Sequence, residues 1–568
     1  MKRYIAIILL IVSLFLTACT PKEDSNADSA GKKDNSVSDN KGSDSNAGET
    51  DNGGAENVAK TYTFTYTNAE GGTLSGTLVQ QIEEGKDGTA VRAIPDDGYE
   101  FVEWSDGYKF ASRIEYGAKK DISVYPIFKL MSQDILDAPV IRISTENKAP
   151  VADKETYVTC TVDVSNTDKA ACMEQVPAGI RGRGNSSWMW HDKKSFRIKF
   201  DKKQSMLGSD YKAKSWTLIA NHADRTLSRN ALAYELAERF DDLAFVSMHQ
   251  HVEVYLNDEY LGLYLLCDQM QTGEGRVDIE EEKGNLDPVT GLPLSVDTGY
   301  LIEMDGRHNE DGVEGHLYFI GDYNKQYGLK TPDPDDIPID GTNEYLVFIE
   351  GYITDCLDAL SAKDWELITS LIDVNSFADA FIVQELFGNI DVGNFSFYMY
   401  KPKSDKLYCG PVWDFDLSVG SVDYGYGNEQ SWAPDADLKR IKAEMIADGK
   451  TEEEINQGTM LAEHGNTWFR RLMRNEEFVA IVKQKLEKYN ETIQSVISLA
   501  DPKNPEGYYA KYQHSMERNF QRWNILGKYV WPNNKDVYTI PTVEGSFVYV
   551  KDWLTARYAL LKARVGIT

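Results

Sequence analysis

Apolar and polar residues alternate along much of the first half of the chain, and apolar residues recur at helical spacing along the second. Strict alternation marks a half-buried strand, whereas a recurrence every three to four residues marks a helix packed on one face. Over 61–130, Tyr62, Phe64 and Tyr66 alternate, Gly71-Gly72 and Gly76 punctuate, and Val91, Ala93 and Ile94 mark another strand before GYEFVEWSDG (98–107). This pattern predicts a small, separate all-β unit of short hairpins with Trp104 in its core. A larger domain opens at Ala138 with strands over 140–143 and 156–164. The segment 194–200 alternates, placing Lys194, Phe196, Ile198 and Phe200 on one face and Ser195, Arg197 and Lys199 on the other. Leu232, Leu236 and Phe240 give 226–240 a helical stripe, with Asp224 or Thr226 as cap. VEVYLNDEYLGLYLLCDQM (252–270) reads as a hairpin turning at Asn257-Asp258, and 299–305 as a further strand of the same N-terminal sheet. The acidic, Gly- and Pro-rich stretches 280–297 and 306–345 read as loops. Helices are predicted over 345–360, 365–371 and 376–387, the last stopped by Gly388, and over 467–473, 476–498, 508–526 and 552–565. The result is an α+β chain whose larger domain spans 131–568, mainly strands over about 138–342 and mainly helices over about 343–568.

Two acidic clusters flank one aromatic hairpin. FSFYMYK (395–401) and LYCGPVW (407–413) are strand-like, with PKSDK (402–406) as the turn between them. Asn389-Ile390-Asp391 precedes the hairpin and Asp414-Phe415-Asp416 follows it. At about 3.3 Å per residue two strands of similar length return the chain to its starting end. The clusters are therefore expected side by side. Paired carboxylates with a nearby amide or hydroxyl suit metal-assisted phosphoryl transfer, one accepting a hydroxyl proton and another holding metal on the phosphates. The same residue types also serve as turn formers that cap a hairpin.

This stretch resembles the core of the spore-coat protein H (CotH) kinase family, whose members end a similar hairpin in a Trp-Asp-Phe-Asp-like run. The likeness extends over about 138–568 and includes RGRGNS with Trp188 (181–188). It implies an atypical protein-kinase-like, two-lobed domain that uses ATP with Mg²⁺ or Mn²⁺ to phosphorylate Ser or Thr of a partner, a coat or surface protein. On this resemblance Asp391 is the catalytic base, and Asp414 holds metal. A strand-borne Lys199, fixed by Glu235 of the 226–240 helix, lies on the phosphates, with Arg197 and Lys194 as rivals for the role. Arg183, beside Arg181, Gly182 and Gly184, supplies positive charge where phosphates would lie; equally, a tight turn there pairs its arginines with surface carboxylates. No Gly-Lys-Ser/Thr follows, so the loop is not a Walker A loop. The chain departs from the protein-kinase pattern in three places. No His-Arg precedes Asp391, Asp416 stands where Asp-Phe-Gly has Gly, and Ser396 stands where a metal-binding Asn is expected, Asn394 being two residues short. A second metal is left to Asn394, to Asp416, or to neither. The alternative is a surface adhesion or scaffold protein that keeps the fold without turnover.

Charge and termini narrow the function classes. With 60 Lys and Arg against 90 Asp and Glu, the formal net charge of -30 argues against nucleic-acid binding. Met1-Lys2-Arg3, the apolar run 4–18 and Leu16-Thr17-Ala18-Cys19 look like a lipoprotein signal peptide (1–18) with lipidation at Cys19. This predicts a lipid-anchored protein on the outer face of the bacterial cytoplasmic membrane or the cell surface, with 19–60 as a disordered polar tether. The 61–130 unit resembles the Gly/Trp-marked repeat modules of bacterial surface proteins, implying a β-grasp-like spacer. The other five cysteines are widely spaced and read mainly as free thiols, with Cys160–Cys172 as one conceivable pair.

Overall fold

The computed structural model describes residues 60–96, 99–108, 111–130, 136–281, 287–289, 293–308, 317–332, 343–422 and 466–567. The segments expected to be a signal peptide (1–18), the lipidation site Cys19 and a tether (19–60) lie outside these residues apart from residue 60. No helix among the described residues is long and apolar enough to cross a membrane.

The chain divides into two compact units. The first, from 60–65, 79–90 and 114–123, holds a three-stranded sheet in the order β3 (Val79–Glu83), β1 (Thr61–Tyr66), β7 (Ile122–Val124), with Phe64 buried. The second takes in 66–78, 91–113 and everything from 124 onward. Its first strands pair as β2 (Gly72–Gly76), β4 (Val91–Pro95) and β6 (Ser112–Arg113), and as β5 (Tyr99–Trp104) with β8 (Pro126–Leu130). Trp104 is fully buried, edge-on to Tyr66 at 5.8 Å, which is the core role its sequence context predicts. Residues 60–130 are all-β where described.

Seven strands of the second unit close into a barrel. They are β9 (Val140–Thr145), β10 (Val158–Ser165), β11 (Met173–Arg183), β12 (Ser195–Gln204), β13 (Ala213–Ile219), β14 (His249–Leu256) and β15 (Glu259–Asp268), in the order β10-β11-β12-β13-β15-β14-β9. Alternation dictates the two faces: Ile180, Phe196, Ile198, Trp216, Val252 and Tyr264 fill the inside. Outward-pointing Ile219, Leu265 and Cys267 instead join a second core with α2 (Arg229–Glu238) and the helical half; α1 is the short turn Ser186–Trp190. The β14–β15 turn at Asn257 and Asp258 has φ of 52° and 70°, the backbone a two-residue hairpin needs.

Four expectations require correction. The strand expected over 299–305, β16 (Tyr300–Met304), does not join the N-terminal sheet. It pairs with β18 (Gln326–Thr331) and β19 (Phe397–Lys401) in a second sheet, β17-β18-β16-β19-β20, with β17 at Tyr318–Ile320 and β20 at Tyr408–Cys409. A closed barrel has no free edge to receive it. The stretch 306–345, read as loop, accordingly contains two strands, β17 and β18, which bury Phe319, Tyr327 and Leu329. The helix expected over 476–498 breaks at Tyr489 into α7 (Glu476–Lys488) and α8 (Asn490–Leu499). The other helices of six residues or more among the described residues are α3 (Glu344–Ala362), α4 (Trp365–Leu371), α5 (Val374–Phe387), α6 (Thr467–Leu472), α9 (Tyr508–Arg522) and α10 (Val543–Arg564), the last starting well before residue 552 because Thr542 caps it through Gly545 N. All five described cysteines are free thiols, and Cys172 is the exposed one.

Candidate active site

Helix α5 sets the first acid. Asp373 caps its start by accepting from Ser376 N at 2.7 Å, and Gly388, at φ 54°, ends it in the left-handed conformation glycine adopts freely. The chain then turns so that Asn394 N and Phe395 N both donate to Asp391 O at 2.8 Å, and it enters β19 at Phe397. The return strand is shorter than expected. β20 has two residues, pairing Met399 with Cys409 and Tyr400 with Tyr408, before Gly410 (φ 120°) and Pro411 carry the chain onward. The two acidic clusters nevertheless end together. Asn389 Nδ2 donates to Asp414 O at 3.1 Å, and Ser396 Oγ donates to Asp414 Oδ2 at 3.3 Å.

Helix α2 holds the second acid. Asn230 and Tyr234, one helical turn apart, face the 413–415 loop. Asn230 Oδ1 accepts from Phe415 N at 2.6 Å, and the Tyr234 ring stacks on Trp413 at 5.7 Å. Asp414 thereby keeps a φ of 66°, unusual for a residue with a side chain. Asn230→Ala leaves the buried Phe415 N–H without its acceptor. The expected loss is about 1–3 kcal/mol of unfolding free energy in urea titrations.

The electrostatics of the site are those of crowded acids. Burial first, then the charges of Asp414 and Asp305, push the Asp391 carboxyl up to about 7, while Arg307 pulls the other way. Burial together with Asp414 and Asp391 drives Asp416 far above the carboxylate range. Arg307 is the counter-charge: its Nε donates to Asp305 Oδ1 at 2.7 Å, and its guanidinium lies 4.7 Å from the Phe395 ring centre. The sequence gives no hint of Arg307, because it arrives only through the β16–β19 pairing, which also stitches Gly306 N to Asn394 O at 2.8 Å.

The other expected site residues divide. Arg183, at the end of β11, lies over the Trp413 ring at 5.8 Å and forms no ion pair among the described residues. Asn394 is engaged, its Oδ1 accepting from Lys325 Nζ at 2.6 Å. Lys199 and Glu235 do not meet. Lys199 is exposed on β12, its Nζ 5.8 Å from the Tyr157 ring, whereas Glu235 bonds to Arg239 and lies 3.6 Å from His249 of β14. Strands β13 and β15 lie between β12 and β14, so helix α2 cannot present Glu235 to Lys199. Of the rivals, Lys194 Nζ donates to Trp188 O at 2.6 Å and Arg197 Nη2 to Ser215 Oγ at 3.1 Å.

Bonds from His249 and Arg239 hold the Glu235 carboxyl down at about 2. A depressed acid stabilises the fold above its unfolded value of about 4.3 and loses that contribution as pH falls toward 2. Glu235→Gln is therefore expected to lower stability by on the order of 1–2 kcal/mol at neutral pH, after allowance for its partial exposure, with the deficit vanishing near pH 2 in paired melting curves.

Asp391, Asp414 and Asp416 offer only oxygen, the donor that hard divalent cations select. Among the described residues, the one group of three whose ligand atoms come mutually within 4.8 Å is Glu235, Glu238 and His249, not the site acids. An ion here would thus draw on two carboxylates, Asp414 and Asp416, plus waters, as Mg²⁺ commonly does. The raised Asp391 and Asp416 carboxyls fit such an ion, since a cation relieves the repulsion that raises them.

A mixed α/β domain with a cluster of buried aspartates beside Arg307 is the class these features define. The family model described as CotH kinase protein matches residues 180–561, and that of the divergent InlB B-repeat domain matches 62–120. The chain belongs to the CotH kinase family and carries an N-terminal repeat module. No curated protein matches it.

Proposed function

We propose that the chain is a lipid-anchored surface kinase of the CotH type that transfers the γ-phosphate of ATP to Ser or Thr of a partner protein. The barrel and the helical half from 343 onward act as the two lobes of an atypical kinase-like domain. The supporting observation is the meeting of Asp391 and Asp414 at one end of the 397–409 hairpin, with the Asp391 carboxyl near neutrality. A base works best when its pKa lies near the working pH. Asp391 takes the proton of the acceptor hydroxyl as the hydroxyl oxygen bonds to the γ-phosphorus and the bond to ADP breaks. Asp414 and Asp416 would hold Mg²⁺ or Mn²⁺, which when bound neutralises charge on the phosphates. Arg307 keeps positive charge facing both acids, and Arg183 presents a guanidinium beside Trp413. Lipidation at Cys19 would fix the protein to the outer face of the membrane, with 19–60 and the repeat module as spacer. A coat or surface protein would be the acceptor.

One observation favours the second function, a surface scaffold without turnover: the Asn394 amide is already bonded to Lys325. Incubation of the full-length chain with γ-labelled ATP, Mn²⁺ or Mg²⁺ and a generic Ser/Thr-rich acceptor separates the two. Label on Ser or Thr is expected. Nucleotide-dependent melting without label transfer would establish the scaffold.

A further inference from the structure

The outer face of the barrel changes character from one strand to the next. On β13 and β15 it carries Thr217, Ile219, Leu265 and Cys267, all buried. On β11 and β12 the same face carries Arg181, Arg183, Arg197 and Lys199. Arg181 and Arg197 are register partners, so their Cβ atoms stand about 5 Å apart, and like charges directly opposite one another destabilise a sheet. Arg183 lies two residues further along β11, on the same side, and reaches the Trp413 that precedes Asp414. Arg181 and Lys199 flank the Tyr157 ring at 5.2 and 5.8 Å.

Among the described residues, protein carboxylates do not neutralise this row. Among the described residues no ion pair joins Arg181, Arg183, Arg197 or Lys199 to an acid, although the whole chain is strongly acidic. Asp153 feels the Arg181 charge, but its Oδ1 is taken by Glu155 N and Thr156 N at 2.9 and 2.7 Å. The Nε atoms of Arg181 and Arg197 are buried without a hydrogen-bond partner among the described residues. Arg276, adjacent to Arg197, is spoken for by Asp268 at 2.8 Å. Arg197 Nη2 does donate to Ser215 Oγ at 3.1 Å, but half-buried guanidiniums crowded together with no carboxylate partner among the described residues are costly unless a multiply charged anion shares them, and arginine forks match phosphate oxygens in geometry.

We infer that Arg181, Arg183 and Arg197 form the polyphosphate-binding face of the nucleotide site, with Lys199 at its outer end. This assignment rests on the phosphotransfer function proposed above and gives Lys199 a place that needs no Glu235. The row leads from the outer barrel face to Arg183, next to the Asp414 loop, so the terminal phosphate lies toward the acids and the rest of the chain of phosphates along β11 and β12.

Calorimetric titration of the full-length chain with inorganic tripolyphosphate, ATP and adenosine, without divalent metal, tests the assignment. The parent protein is expected to bind tripolyphosphate and ATP, more weakly as salt rises. The Arg181→Gln/Arg197→Gln variant should bind both about tenfold more weakly or worse, with adenosine binding unchanged. It should also melt no lower than the parent, because a structural role would lower the midpoint whereas relief of like-charge repulsion does not. Absence of tripolyphosphate binding by the parent, or equal binding by the variant, overturns the assignment. Should the double variant not fold, Arg181→Gln alone supplies the same comparison. Phosphotransfer that ignores Arg181 and Arg197 would refute this face alone. Tripolyphosphate binding that needs them, in a protein without transfer, would refute the kinase function and leave the anion site standing.

Discussion

Asp391→Asn is expected to slow phosphoryl transfer by about 10²–10⁴-fold, the usual loss when a general base is removed. Asparagine keeps the shape of the side chain but cannot accept the hydroxyl proton. The same change should not weaken the fold. Burial and Asp414 raise the Asp391 carboxyl to about 7, against roughly 3.9 in the unfolded chain. Because the folded value is the higher one, ionisation in the folded state costs stability, and the cost grows as pH rises from about 4 through 7. Asparagine escapes that cost. Measured without divalent metal, the variant should match the parent near pH 4 and exceed it by up to about 4 kcal/mol near pH 8. Retained turnover would remove Asp391 from the chemistry, and a variant less stable at high pH would show that its carboxylate is a structural ligand.

Asp414→Asn should lower transfer by on the order of 100-fold or more, as expected when several kcal/mol of metal-borne charge stabilisation is lost. Asparagine is the informative replacement here. The backbone at 414 has a φ of 66°, which Asn tolerates better than most residues. The loop therefore persists under Asn230 and Tyr234 while one carboxylate disappears. Added Mn²⁺ at about a hundred times its dissociation constant should stabilise the parent by roughly 2.7 kcal/mol. Differential scanning calorimetry should show that gain much reduced in Asp414→Asn. An undiminished gain would place the metal away from Asp414.

Elements whose information is local were legible in the sequence. The 252–270 hairpin needed only its alternation and Asn257-Asp258, and α5 needed only its stripe and Gly388, the Asp373 cap emerging only in the structure. The proximity of Asp391 and Asp414 followed from chain return alone, even though β20 is two residues long. Partnerships fixed by distant chain segments were not legible. Strand β16 could be recognised as a strand but not as the neighbour of β19, since no local feature says which edge is open. Arg307 entered the site on that pairing. The expected Lys199–Glu235 pair failed for the same reason: spacing gave each residue its element, but barrel closure set two strands between β12, which carries Lys199, and β14, against which Glu235 lies. Asn230 and Tyr234 lay within a segment that reads as plain helix, and the Asn230 contact with the Asp414 loop joins residues 185 positions apart in sequence.

The decisive measurement is anomalous scattering from crystals of the full-length chain grown with MnCl₂ and ADP. A manganese peak is expected at inner-sphere distance, about 2.0–2.4 Å, from an Asp414 carboxylate oxygen, with Asp416 as second ligand. Manganese bound instead at Glu235, Glu238 and His249, or absent from the Asp391–Asp414 end of the hairpin, would contradict phosphoryl transfer at these aspartates.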